Sequence, residues 1–213
     1  TGIAFLERWG TATDERVALS EAESLLSGLI ESQDSEGWFP EYGGADPGYQ
    51  SLTMYYLADL FARRPRDELT GAIERSLMFL SSFIHPDGSF GGTYGSRNTR
   101  FYYPSGVGEL AASFPMAAAI HRKMTKSIAR KAVVGVDSMD KGNIAPMFNS
   151  YCRAILCDKN QTEPKVYASL PSEMNDSIRL VFPNAGIVVD GGPHHYSIVS
   201  VGKGGVVYHF RGE

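Results

Sequence analysis

At 213 residues, 43% hydrophobic and 21% charged, the chain is long enough to bury a core without disulfide or metal staples. A formal net charge of −4 leaves no basic footprint for nucleic acid, although a local arginine and lysine cluster would still serve an acidic substrate. No window is apolar for long enough to span a bilayer. Cys152 and Cys157, a C-x4-C pair with no histidine or third cysteine nearby, make no zinc pattern and are expected as thiols.

The chain starts at Thr1 without a methionine or a signal-peptide pattern and stops just after a strand-like run. Both ends read as cuts through a longer protein, and an extracytoplasmic parent stays open. Residues 1–13 read as irregular, with Phe5, Leu6 and Trp9 as packing contacts and Asp14 as the cap of the next helix. Val17, Ala18, Ala22, Leu25, Leu26, Leu29 and Ile30 recur at helical spacing and predict a helix over 17–32. A loop at 33–50, QDSEGWFPEYGGADPGYQ, crowds aromatics, carboxylates and glycines together. A second helix at 49–61 carries Leu52, Tyr55, Tyr56, Leu57, Leu60 and Phe61, and the run holding Pro65 ends it.

A third helix at 68–83 shows a stripe of Leu69, Ile73, Leu77 and Leu80. A second rich loop follows at 85–103, HPDGSFGGTYGSRNTRFYY. One alanine-rich helix is predicted over 104–123, interrupted by Gly106, Gly108 and Pro115, a composition suited to close packing. The basic stretch at 124–142 reads as a solvated surface helix and turn. A fifth helix spans 145–156, and a polar linker spans 158–164. From 177 onward IRLVF, GIVVD, YSIVSV and VVYHF alternate with turn signals and predict an antiparallel meander. Its last turn, Gly202-Lys203-Gly204-Gly205, lacks the spacing of a phosphate loop. So few strands cannot close a sandwich, so the sheet must lean on the helices. Its edges call for a missing domain or a partner chain to cover them. The expected division is a helical domain at 1–160 and a β region at 161–213.

The helices pair with the same punctuation at an offset of about fifty residues, the spacing of a repeat. Gln33-x3-Gly37-Trp38 and Asp87-Gly88-Ser89-Phe90-Gly91-Gly92 resemble the Q-x-x-x-G-x-W and D-G-S-F-G-G repeat signatures of the terpenoid cyclase and protein prenyltransferase toroids. That resemblance implies an incomplete α/α toroid of helical hairpins with both loops on one face. The aspartate-rich acid motif of one cyclase class and a prenyltransferase-like zinc set are both missing. A helical toroid followed by antiparallel strands is also similar in layout to the heparinase II/III-like polysaccharide lyases. In those families tyrosine, histidine, asparagine and arginine act at the toroid cleft and where it meets the β region.

The residues themselves suit an acidic sugar. In the first loop Trp38, Glu41, Tyr42, Asp46 and Gln50 offer rings to stack on a sugar face and polar groups to orient hydroxyls. In the second, Tyr94, Arg97 and Asn98 can hold a uronate carboxylate, since a guanidinium fork matches its two oxygens. Tyr49, Tyr103 and His194 are the candidates for moving the proton. Structural roles compete with each of these: Asp46 is also placed to cap the second helix, and the aromatics to plug helix ends. Glu41 and Asp46 would serve as a glycosidase pair only at a suitable separation. The expected function is a carbohydrate-active toroid acting on a poly- or oligosaccharide, as a lyase cleaving a uronate glycan by β-elimination, with no cofactor and no metal. The alternatives are a terpenoid-cyclase-like toroid acting on an apolar substrate and a non-catalytic carbohydrate-binding or assembly module.

Overall fold

In the computed structural model, which describes residues 2–160 and 167–211, two helices precede the first loop where one was expected. Helix α1 (Gly2–Thr13) takes up the segment read as irregular, and α2 (Arg16–Glu31) follows it. The helical signal of α1 is faint because its fully buried positions are the small Ala4 and Gly10, with Ile3 packing beside them only in part. A Cβ on Gly10 would stand 2.7 Å from Leu19 Cγ, so the two helices meet nearly backbone to side chain. Asp14 sits in the intervening turn at φ 54°, and Glu15 caps α2 in its place.

Helices α3 (Pro47–Arg63) and α4 (Asp67–Ser81) form the next pair. Proline at the first position of α3 costs nothing there, because that N–H has no helical partner. Asp67 and Glu68 lie in the first turn of α4, where the helix dipole favours negative charge. The stripe Leu69, Ile73, Leu77 and Leu80 is buried. The single helix expected over 104–123 is broken in two, α5 (Pro104–Leu110) and α6 (Pro115–Ala129). Phe114 precedes a proline and is extended, φ −127° and ψ 117°, which stops the first piece and starts the second. Helix α6 also takes in the start of the basic stretch. Helix α7 (Ile144–Asn160) runs past the expected stop, so residues 158–160 of the predicted linker are helical, and 161–164 lie outside the described residues.

Four strands, β1 (Ile178–Phe182), β2 (Ile187–Gly192), β3 (His195–Ser200) and β4 (Val206–Arg211), pair in sequence order as an antiparallel sheet. The protein is mainly α with this small sheet leaning on the helices. Ile187, Val189, Tyr196 and Ile198 share one hydrophobic core with Phe79, Phe83 and Ile84. Phe182 of β1 meets the Phe79 ring at 5.1 Å, edge to face, and the Tyr196 hydroxyl donates to Ser82 O at 2.8 Å. The first loop holds the sheet as well. Glu36 accepts from the backbone N–H groups of Asn184 (2.6 Å) and Ala185 (3.0 Å) in the turn between β1 and β2, and Asp34 accepts from the Asn184 side chain. Strands β1 and β4 are the sheet edges.

Helices α3 and α5 touch through Gly106, where an added Cβ would collide with the Met54 backbone. That atom cannot move aside as a flexible side chain would. Gly106→Ala is expected to destabilise the protein by about 3 kcal/mol, read as a lowered urea midpoint at unchanged slope.

Candidate functional site

The two loops are joined through one carboxylate. Asp46, only 2% exposed, caps α3: its Oδ1 accepts the N–H groups of Gly48 (3.1 Å) and Tyr49 (3.2 Å). From the second loop, Thr99 donates its hydroxyl to the same oxygen, while Arg97 N (2.9 Å) and Thr99 N (3.4 Å) donate to Oδ2. Ser96 adds two bonds, from its N–H to Ala45 O at 2.9 Å and from its hydroxyl to Glu41 O at 2.7 Å. Gly48 is required at this seam, since any side chain there would occupy the position of Thr99.

Several of the candidate ligand residues are spent inside this frame. The Gln50 carbonyl accepts from Phe39 N at 3.0 Å and its amide donates to Gly37 O at 3.3 Å. Trp38 is buried and donates its indole N–H to Glu36 at 3.0 Å. Gln33, of the repeat-like motif, donates to Gly37 O, Ala72 O and Ser76 Oγ, tying the loop to α4.

A small set faces solvent above the frame. Tyr42 is 80% exposed at φ 53°, Arg97 and Asn98 are exposed, and Tyr49 and Glu41 are half-buried. The Arg97 guanidinium lies over the Tyr42 ring at 3.9 Å and 5.8 Å from the Tyr49 centroid. Among the described residues no carboxylate comes within ion-pair distance of it. Lys203, in the turn between β3 and β4, donates to Ser96 O at 3.4 Å and brings a second cation to this edge. Behind Tyr49 the aromatic row continues edge to face through Phe101 (5.3 Å) to Tyr103 (a further 5.4 Å). Tyr103 is buried and donates its hydroxyl to Asn143 at 3.2 Å, and burial pushes that phenol up to about 12. His194 is exposed at the turn between β2 and β3, the opposite end of the sheet from Lys203. The structure therefore brings Tyr42, Tyr49, Arg97 and Asn98 to one rim, seats Tyr103 beneath it and leaves His194 apart.

A second polar cluster, in which Tyr94 alone was a candidate from the sequence, lies where loop two meets β4. Tyr94 is buried with its hydroxyl 2.8 Å from His85 Nε2, and His85 Nδ1 is 2.7 Å from Ser89 Oγ. Burial raises the Tyr94 phenol well above its usual range, so it donates to Nε2. Nδ1–H is then left to donate to Ser89, which donates to Asp87 at 2.7 Å. Burial also pulls His85 down to about 4, and its ring stacks on Phe210 at 4.6 Å. Beside it the Tyr208 oxygen accepts from Thr93 N (3.2 Å), Thr93 Oγ1 (3.4 Å) and Arg100 (3.1 Å). Burial pushes this phenol up, but those donors outweigh it and hold it below the usual tyrosine range. The signal available beforehand was composition alone: nothing in VVYHF shows which strand residue will touch loop two.

Among the described residues no group of three or more metal-ligating side chains is assembled, and no helix is long and apolar enough to cross a membrane. Compared with protein-family models, curated proteins and solved structures, the chain matches none of them.

Removing the central carboxylate should separate the loops. Asp46→Ala is expected to cost about 3 kcal/mol or more, one part from the lost helix cap and the rest from buried N–H groups left without an acceptor. Asp46→Asn, which keeps one acceptor oxygen, should lose roughly half as much. Urea unfolding measures both. The buried imidazole makes a separate prediction. Because His85 stays neutral in the fold to about pH 4 but titrates near 6.5 when unfolded, its contribution is complete above pH 6.5 and is lost as pH falls toward 4. The stability difference between wild type and His85→Gln should shrink by about 3 kcal/mol across that window.

Proposed function

We propose that the helices form part of an α/α toroid and that the chain is a carbohydrate-active protein cleaving a uronate-containing glycan by β-elimination at the rim where the two loops meet. One observation carries this reading: Arg97 presents an exposed guanidinium against the rings of Tyr42 and Tyr49, with Glu41 nearby but no carboxylate within ion-pair distance among the described residues. An acidic sugar offers what that arrangement lacks. Its carboxylate takes the guanidinium fork, and its C–H face takes the Tyr42 ring. The Asn98 amide, adjacent on the exposed loop, can donate to the same carboxylate.

Neutralising the carboxylate acidifies the proton on C5 of the sugar. Tyr49, beside the guanidinium, is the side chain placed to take that proton as its own hydroxyl hydrogen passes to the leaving oxygen. The electron pair forms a C4–C5 double bond, the C4–O bond breaks, and the leaving oxygen takes up the tyrosine proton. Tyr103 supports the rim from below, its hydroxyl being committed to Asn143.

The test is incubation with a panel of uronate polymers, following ultraviolet absorbance of the unsaturated product. Arg97→Ala and Tyr49→Phe should each lower the initial rate about a hundredfold or more, and Tyr103→Phe less than about tenfold. A second reading, a binding module without catalysis, is favoured by one feature: with His194 remote and Tyr103 buried, Tyr49 is the one proposed proton carrier left beside Arg97. Retention of uronate polymers that depends on Arg97, with no rise in absorbance, would establish that reading and overturn the lyase.

A further inference from the structure

We infer that α1 and α3 carry a second, distal subsite for the same acidic glycan, so that the protein engages a long chain and not a terminal sugar. This inference rests on the function proposed above. Tyr49, Tyr56 and Arg63 are spaced seven residues apart and share one face of α3. At the helical rise, Arg63 stands about 21 Å along the axis from Tyr49. That distance is beyond a disaccharide and within reach of an oligosaccharide of several units.

At that far end lies a groove of about 560 Å³, lined by Phe5, Arg8 and Trp9 of α1 and by Asp59 and Arg63 of α3. Phe5 is 63% and Trp9 53% exposed, with their rings stacked at 6.2 Å and 26°. Both rings lie outside the core, on which α1 packs through Ile3 and Ala4. The single carboxylate of the groove, Asp59, is already engaged by Arg63 at 3.1 Å and approached by Arg153 of α7 at 3.9 Å. Arg8 has no carboxylate within ion-pair distance among the described residues. Aromatic faces flanked by guanidinium groups in excess of carboxylates repeat the chemistry of the loop rim. The stretch between the two is not blank either. The Arg153 guanidinium lies 4.6 Å over the Tyr55 ring, and Tyr55 meets Tyr56 edge to face at 5.0 Å. Arg63 and Arg153 already have Asp59 and Glu109 as counter-charges, so an apolar peptide would leave Arg8 at this end and Arg97 at the rim without one, and an acidic glycan would supply one at each end.

The two tryptophans make the idea measurable. Trp9 is exposed and Trp38 is 7% exposed, so a ligand on the distal groove should perturb the emission of Trp9. Wild-type protein is titrated with oligouronates of two to eight units, following fluorescence and affinity. The expected result is a step in affinity at intermediate length, with Trp9 emission changing only above that step. Trp9→Ala, a surface change, should weaken the longest oligomer about tenfold and leave the shortest unaffected. Arg97→Ala should weaken every length. Binding that depends on Arg97 but shows neither a length step nor a Trp9 response would overturn the distal subsite and leave the loop rim standing. Long oligomers that still bind and perturb Trp9 in Arg97→Ala would keep the distal groove and remove the rim. If no oligouronate binds wild type at any length, both fall.

Discussion

Five donors converge on the carboxylate of Asp46, two from the first turn of α3 and three from the second loop. A buried charge is tolerated only when hydrogen bonding compensates its lost hydration, and here the compensation comes from both loops at once. Neither loop can move away without leaving the carboxylate, or several N–H groups, unsatisfied. The cap that starts α3 is thus the same object that positions Arg97. The exposed rim inherits its geometry from a group that no ligand would touch.

The rim is built by subtraction. Polar side chains that point inward, among them Gln50, Gln33 and Ser76, are used up on backbone carbonyls and on one another. What is left outside is a short set that these bonds do not use up: a guanidinium, two phenol rings, an amide and the half-buried Glu41 carboxylate. An exposed arginine stacked on tyrosine is held in place by the rings and by its hydrogen bond with Tyr49, while the rest of its fork of donors stays open. The proposed recognition of a planar anion rests on that feature.

The sheet contributes to the same region from the other side. Asp34 and Glu36 clasp the turn between β1 and β2, and Tyr208 reaches into loop two between Thr93 and Arg100. The loops are therefore pinned from α3, from α4 and from the sheet. With His85 neutral and stacked on Phe210, this second seam is sensitive to acid, whereas the Asp46 seam is a matter of hydrogen-bond geometry.

Periodicity and turn chemistry alone determined most of the elements. Leu69, Ile73, Leu77 and Leu80 marked α4, and the glycine-punctuated runs after 177 marked the meander, because burial of an apolar face writes its period into the sequence. The same logic missed α1, whose fully buried positions are the small Ala4 and Gly10, and merged α5 with α6, which the turn at 111–114 ending in the extended Phe114 separates. The composition of the two loops pointed to a polar, aromatic face, and Asp46 could be read as a cap. Only the tertiary structure decided which residues of that face are free. Trp38 and Gln50 turned inward, Tyr103 took Asn143, and Tyr208 arrived from more than a hundred residues away. Such pairings depend on distances across the fold, and one-dimensional spacing carries no record of them.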